Sequence, residues 1–168
     1  ANEISKSKHF LMLLNNGQFI NIEDHLAIIA DENLDIISRA SALQLLSFTT
    51  QTITIEILKP YLEHSDSLIR LSAASAATLL PLSIRVEHLN PLLKDKYKAV
   101  RVAAARSLIT NEMFLANHHA FNVAFNELIK VNKTNSWRGE GIVNQGDIAV
   151  EMNQFSIAEK AFKKAVKV

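Results

Sequence analysis

The residues of this chain that could do chemistry are histidines, carboxylates and lysines, and their spacing argues against a catalytic or metal site. His118 and His119 are adjacent, so on a helix their side chains point about 100° apart and cannot hold one ion as an i, i+4 pair could. We therefore expect a structural role for both. The other histidines are scattered, with no Cys or acid at metal-ligand spacing: His9, His25, His64 and His88.

Two glutamates, Glu56 and Glu87, recur at one fixed offset. Because they stand one repeat apart, neighbouring helices would hold them roughly 10 Å from each other, which is too far for an acid/base dyad. The chain has no Cys, so it carries no disulfide, no thiolate metal site and no haem-attachment motif. It also lacks the serine-hydrolase, zinc-protease and phosphate-loop motifs. We predict no catalytic residue, no metal ligand and no cofactor bound by this chain.

Basic residues form two clusters. The cluster nearest the C-terminus, Lys160 to Lys167, would form a stripe along one side of a helix, and this stripe could attract phosphate groups or an acidic membrane surface. Lysines near a helix C-terminus are also favoured by the helix dipole on a solvated face. The chain as a whole has 18 basic and 17 acidic residues, whereas nucleic-acid-binding proteins usually have a basic excess. This balance favours a solvated face, and nucleic-acid binding is the alternative function. The clusters are Lys160, Lys163, Lys164 and Lys167, and Lys94, Lys96, Lys98 and Arg101.

The elements that position these residues repeat along the chain. Arg39, Arg70 and Arg101 stand 31 residues apart. A period of this size is typical of stacked supersecondary units, which present a long surface instead of one pocket. The second and third copies share further identical residues at this offset: Ile53/Ile84, Glu56/Glu87, Leu58/Leu89, Pro60/Pro91, Leu62/Leu93, Ala73/Ala104 and Ala74/Ala105.

Composition favours an all-α fold. Apolar residues make up 48% of the chain, whereas Gly (4) and Pro (3) are too scarce for a turn-rich β-sandwich. No apolar run reaches the roughly 18 residues that a membrane span requires. We predict a first helix over residues 4–14 and then three helix pairs: 22–30 with 34–48, 53–63 with 66–80, and 84–93 with 97–109.

Local signals refine these pairs. The second helix of each pair is apolar on most sides, which predicts burial by several neighbours, and its Ala runs permit close backbone approach. Asp35 and Asp66 each lie four residues before an arginine, so each could cap its helix and pair with that arginine. Pro60 and Pro91 fall inside the predicted first helices, where they would produce a shared bend.

These features resemble HEAT repeats, a family of paired helices that stack into an α-solenoid. The segments PYLEHSDSLIRLSAASAATL (60–79) and PLLKDKYKAVRVAAARSL (91–108) show an apolar helix end, an acidic loop, an arginine and an Ala-rich helix. The resemblance gives Arg39, Arg70 and Arg101 a structural role in the repeats. The first copy is looser, with two extra loop residues, and Tyr97 of the third replaces the acid found at Asp35 and Asp66.

After Thr110 the period breaks, and from Ile142 the chain resembles one tetratricopeptide (TPR) unit. Gly146, Ala158, Phe162 and Ala165 match its spacing; in this unit Gly146 would let two helices cross closely and Phe162 would fill the space beneath. We predict three domains: a HEAT-like array over 1–111, a connecting helix and linker over 112–135, and a single truncated TPR-like unit over 136–168. Trp137 could stack on a base or an aromatic side chain, but we expect it to pack between the HEAT-like and TPR-like parts.

The combination resembles the C-terminal region of bacterial TPR-containing multihaem cytochrome c-type proteins. This resemblance implies a periplasmic electron-transfer parent, with haem bound elsewhere in that parent and this piece as its scaffold; without the resemblance, a cytoplasmic location is equally open. Because the chain starts on Ala1 and stops within a pattern at Val168, we expect it to be part of a longer protein.

The sequence therefore predicts a non-enzymatic scaffold that binds a protein partner or other domains of its parent. The partner would lie in a groove lined by the second helices, with Arg70, Ser75, Arg106 and Asn111 as candidate contacts. Since one TPR unit cannot bury its own face, the C-terminal unit could also self-associate. The alternative is a nucleic-acid-binding HEAT-like protein, which requires a basic surface.

Overall fold

The structure, a computed structural model, describes residues 12, 16, 21–49, 52–110 and 118–167. These residues form helices and no β-strand, which confirms the all-α prediction. The chain divides into two compact units, Ala1–Leu92 and Leu93–Val168. Most of the predicted helix over residues 4–14, and residues 111–117, lie outside the described residues.

The described residues of the first unit form five α-helices, and their order agrees with the predicted pairs. Asn21, Asp35 and Asp66 cap α1, α2 and α4 by accepting the backbone N–H of Glu23, Ser38 and Leu68 at 3.0, 2.9 and 2.7 Å. The predicted caps at Asp35 and Asp66 are thus confirmed. The helices are α1 (Ile22–Ala30), α2 (Ile36–Gln44), α3 (Ile55–Leu62), α4 (Ser67–Ala76) and α5 (Leu82–Leu89).

The helices of the first unit pack as two pairs joined through their second members. Helix α1 packs on α2, α3 packs on α4, and α2 packs directly on α4, while α3 also contacts α5. Ala73 and Ala74 of α4 have no exposed surface. The Ala-rich second helix is therefore buried by several neighbours, because its small side chains let the other helices come close. The rest of this core includes Ile29, Leu43, Leu58, Ile69 and Leu89.

The two prolines do not play the same part. Pro60 lies inside α3, as predicted, in its last turn. Pro91 does not lie inside α5: that helix ends at Leu89, and Pro91 begins a short 3-10 helix, Pro91–Lys94. The expected shared bend is therefore wrong for Pro91, where the missing N–H and the ring favour a helix start over an interior position.

In the second unit, residues 93–110 and 118–167 form four α-helices that pack in chain order, α6 on α7, α7 on α8 and α8 on α9. Ile109, Leu128 and Ile148 form a buried cluster between them. Helix α6 is the second helix of the predicted third pair, and the division between the units falls between that pair's two helices. The three predicted domains stay predictions. The helices are α6 (Lys98–Ser107), α7 (His119–Thr134), α8 (Gly139–Glu151) and α9 (Phe155–Ala165).

Candidate interaction surface

Two of the repeated arginines make the same local contacts. The Nη1 group of Arg70 donates to the carbonyl oxygens of His64 and Ser65 at 2.7 and 2.8 Å. In the next copy, Nη1 of Arg101 donates to the carbonyl oxygens of Asp95 and Lys96 at 2.8 and 3.3 Å. In both cases the carbonyls belong to the loop just before the helix that carries the arginine. Each arginine thus ties its helix to the preceding loop.

Arg39, the arginine of the first copy, makes a different contact. Its Nε donates to the carbonyl of Ile29 at 2.9 Å, in the last turn of α1, and the side chain is buried. The loop between the two helices of the first copy, residues 31–35, is one residue longer than the loop 63–66 of the second copy, and its arginine reaches the end of the preceding helix instead of the loop carbonyls. Carbonyl oxygens in the last turn of a helix have no partner within the helix. A cation that bonds one of them is also attracted by the negative end of the helix dipole.

Arg101 also holds the neighbouring helix through Glu127 of α7. Its Nε and Nη2 donate to the two carboxylate oxygens of Glu127 at 2.8 and 2.6 Å, a two-bonded geometry typical of strong ion pairs. These hydrogen bonds lower the pKa of Glu127 and raise the pKa of Arg101. The sequence has Tyr97 where the other copies have Asp35 and Asp66, and it did not indicate Glu127, because nothing in the repeat pattern marks a residue on the following helix.

His25 is a structural histidine of the first core. Its ring is fully buried, and Nε2 donates to the carbonyl of Ala42 at 2.6 Å across the α1–α2 pair. Burial is the main cause that lowers the pKa of His25, since desolvation disfavours the charged ring. At the start of α7, Nδ1 of His118 accepts the N–H of Phe121 at 3.3 Å, while His119 is exposed. The histidine pair therefore includes a helix cap.

The four predicted partner contacts differ in how far the structure describes them. Arg70 is only 8% exposed, and Ser75 of α4 donates to the carbonyl of Leu71 at 3.1 Å. Arg106 lies on α6 with Nη2 at 3.5 Å from Asp147 of α8. Asn111 lies outside the described residues. The described side chains thus contact their own units, and their role toward a partner stays a prediction.

The last two helices are joined by a tight turn and pack closely. A Cβ atom on Gly146 would lie 2.4 Å from Cε1 of Phe162, so only glycine allows the ring to approach α8 there. Asn153, in the connecting turn, has φ of 56°, a left-handed conformation that asparagine tolerates. Ala158 is buried in the contact. The predicted roles of Gly146 and Phe162 match this geometry.

This α8–α9 pair exposes a set of apolar side chains. We call the set the apolar patch residues. On α8, Val143 and Val150 lie seven residues apart and thus on one side of the helix. Exposed apolar groups grouped on one element are typical of interaction surfaces. The exposed fractions are Val143 40%, Val150 41%, Phe155 64%, Ile157 56% and Val166 86%.

The same two helices carry charges of opposite sign. Glu140, Asp147 and Glu151 are spaced at i, i+7 and i+11, so they share one side of α8, which contains no Lys or Arg. We call this side the acidic face. The basic face of α9 and its end consists of exposed lysines, one of which, Lys163, pairs with Glu159 at 2.5 Å. Its members are Lys160, Lys163, Lys164 and Lys167.

A second group of basic residues lies just before α8 and on α6 and α7. Trp137 is 68% exposed, and the guanidinium of Arg138 lies 4.4 Å from its ring centroid. The expectation that Trp137 packs between two parts of the chain is therefore wrong, because its short turn before α8 leaves the ring in solvent. A shallow cleft of about 210 Å³ is lined by Lys98 of α6 and by Lys130, Val131, Thr134 and Asn135.

Among the described residues, no group of three or more His, Cys, Asp or Glu side chains could hold a metal ion. None of the described helices combines the length and hydropathy that crossing a bilayer requires. Comparison of the chain with protein-family models, with curated proteins and with solved structures found no match.

Proposed function

We propose that this chain is a non-enzymatic scaffold for protein binding, built as a short α-solenoid of HEAT-like helix pairs followed by one TPR-like pair. Two observations support this architecture. The second helices α2 and α4 pack on each other while each packs on its own first helix, and Arg70 and Arg101 hold corresponding loop carbonyls. Stacked pairs of this kind bind through extended surfaces instead of pockets.

The observation that carries the binding function is the exposure of the apolar patch residues on α8 and α9. Phe155 and Ile157 leave more than half of their surface in solvent, on opposite sides of the first turn of α9. A protein interface typically combines such apolar side chains with a charged rim, and lysines and carboxylates surround these on both helices. The α8–α9 pair is thus the preferred partner surface.

We also propose that the scaffold belongs to a larger exported electron-transfer protein of the multihaem cytochrome c type. Support comes from the resemblance of the HEAT-like and TPR-like combination, and the absence of Cys assigns any covalently attached haem to another part of the parent. Haem staining of the parent protein purified from a periplasmic fraction tests this. A parent without haem, or one confined to the cytoplasm, contradicts the electron-transfer assignment and leaves protein binding to be judged separately.

The binding proposal is tested by affinity capture from cells that express the parent. The test variant, Phe155→Lys with Ile157→Lys, changes two patch residues, and the control, Val123→Lys with Ile129→Lys, changes two exposed apolar residues of α7. We expect specific partners with the wild type and the control, and their loss with the test variant. Recovery of no partner, or equal loss with both variants, contradicts the assignment of the α8–α9 surface. Circular dichroism establishes that each variant is folded.

A second candidate function, nucleic-acid binding, is favoured by an uneven distribution of charge. The second unit has twelve Lys and Arg and seven Asp and Glu, whereas the first unit has six Lys and Arg and ten Asp and Glu. The net charge of +1 is therefore the sum of a basic second unit and an acidic first unit. Lys98 and Lys130 line one cleft and both lower the pKa of Glu127 by their charge. Exposed Trp137 and Tyr97 could stack on bases beside these lysines.

Fluorescence anisotropy with a labelled single-stranded oligonucleotide tests this second candidate. Binding through the cleft should weaken with rising salt and should be lost in Lys98→Glu with Lys130→Glu. The matched control, Lys160→Glu with Lys164→Glu, makes the same charge change on α9 and should keep most of the affinity. No binding at low salt, or equal loss in both variants, contradicts a nucleic-acid site in this cleft.

A further inference from the structure

We propose that the partner of the α8–α9 surface is a second copy of this chain, with the acidic face of α8 in one copy meeting the basic face of α9 in the other. This inference rests on the proposed binding function and names its partner. Both faces lie on one helix pair of the second unit, which combines charges of opposite sign with exposed apolar side chains.

The charges of the two faces are complementary. Helix α8 carries three carboxylates and no cation, while α9 and its end carry four lysines and a single carboxylate, Glu159. Asp147 is half exposed and its contact with Arg106 is long, at 3.5 Å, so this pair neutralises the acidic face only in part. Complementary faces of this kind steer association and choose the partner.

Apolar groups accompany both faces. Val143 and Val150 lie beside the acidic face of α8. On α9 and its end, Phe155 and Val166 flank the lysines on one side and Ile157 flanks them on the other. Contact between an α8 face and an α9 face would remove apolar groups of both from water while the charges pair at the rim. Burial supplies affinity, and the charged rim supplies orientation.

The same pattern disfavours the other arrangements of two copies. Contact of α8 with α8 would oppose carboxylates with carboxylates, and contact of α9 with α9 would oppose lysines with lysines, so repulsion acts against both. Because every copy presents an acidic and a basic face, a second copy supplies the complement of each. A partner with a surface of one sign would satisfy only one of them.

The test is sedimentation velocity at low salt with two charge-reversed variants. One variant carries Glu140→Lys and Glu151→Lys on α8; the other carries Lys160→Glu and Lys164→Glu on α9, leaving the Lys163–Glu159 pair intact. The wild type should self-associate, each variant alone should do so at least about tenfold more weakly, and an equimolar mixture should associate again, because reversed faces attract each other. Glu32→Lys with Glu63→Lys, two exposed carboxylates outside this pair, makes the same charge change as the α8 variant and should behave as the wild type.

Three results would overturn the inference. A wild type that stays monomeric removes self-association; if that same protein still captures partners through Phe155 and Ile157, the proposed scaffold function stands without it. A mixture that stays as monomeric as its two components shows that acidic and basic faces do not meet. Capture of the wild type by a polyanion or an acidic protein, with no homotypic contact, assigns the basic face to a different partner and also overturns the inference.

Discussion

The backbone of Gly146 lies so close to the ring of Phe162 that a Cβ atom there would be 2.4 Å from Cε1. The two residues are on successive helices and meet because the turn between them is short. This relationship sets how closely α8 and α9 approach, and thus how the acidic and basic faces are presented. It also leads to the first prediction.

Gly146→Ala should destabilise the second unit by about 1–3 kcal/mol, because the new methyl group must displace an aromatic ring in a packed contact. The gain in helix propensity that normally accompanies Gly→Ala, about 0.5–1 kcal/mol, offsets this only in part. Urea unfolding followed by circular dichroism measures the change. Gly139→Ala is the matched control, since its Cβ would meet the nearest atom at an ordinary 3.5 Å. Equal effects at both positions would refute the steric explanation.

Glu127→Gln should lower the free energy of unfolding at neutral pH by up to about 1 kcal/mol, the range for partly exposed ion pairs. The pKa of Glu127 is lowered in the folded state, so the stabilisation is present above the unfolded pKa of about 4.3 and is lost as pH falls through the folded value. Thermal melts at pH 7 and pH 3 should show a larger difference between the variant and the wild type at pH 7 than at pH 3. Glu159→Gln, at an exposed pair, should change little at either pH.

The buried His25 should make the first unit less stable in mild acid. Its pKa is lowered by burial, so below the unfolded value of about 6.5 the unfolded chain binds a proton more readily than the folded one. Stability should therefore fall as pH drops from 7.5 toward 5. In His25→Gln this dependence should flatten, although the variant is less stable at pH 7.5. Unfolding by urea at several pH values measures it, and an unchanged slope contradicts the prediction; His88→Gln is the half-buried control.

Ala104→Phe should overpack α6 at a cost of about 1–3 kcal/mol, because Ala104 has no exposed surface. On the same helix, Ala99 is exposed, so Ala99→Phe should be near neutral and isolates the effect of burial from that of helix propensity. Denaturant midpoints of the two variants provide the comparison. If Ala99→Phe is as harmful as Ala104→Phe, the Ala run is not a packing requirement.

Features with a local physical cause were predictable from the sequence. The helical periods, the caps at Asp35 and Asp66 and the burial of the Ala-rich helix depend on neighbouring residues and on which side of a helix they occupy. The close approach of Gly146 and Phe162 was expected from the resemblance to a TPR unit, whose spacing these two residues match. The acidic face of α8 is visible as a helical spacing once the helix is placed.

Only the tertiary structure decided which distant groups meet. Arg101 pairs with Glu127, which is 26 residues away in the chain, and no local pattern selects that carboxylate from the others. Arg39 bonds the end of the preceding helix, whereas Arg70 and Arg101 bond loop carbonyls. Trp137 is exposed to solvent, and the guanidinium of Arg138 lies over its ring. Sequence periodicity specifies which segments are helical and which side of each helix is buried. The free energy of packing, summed over residues that are distant in the chain, selects which of those residues contact each other.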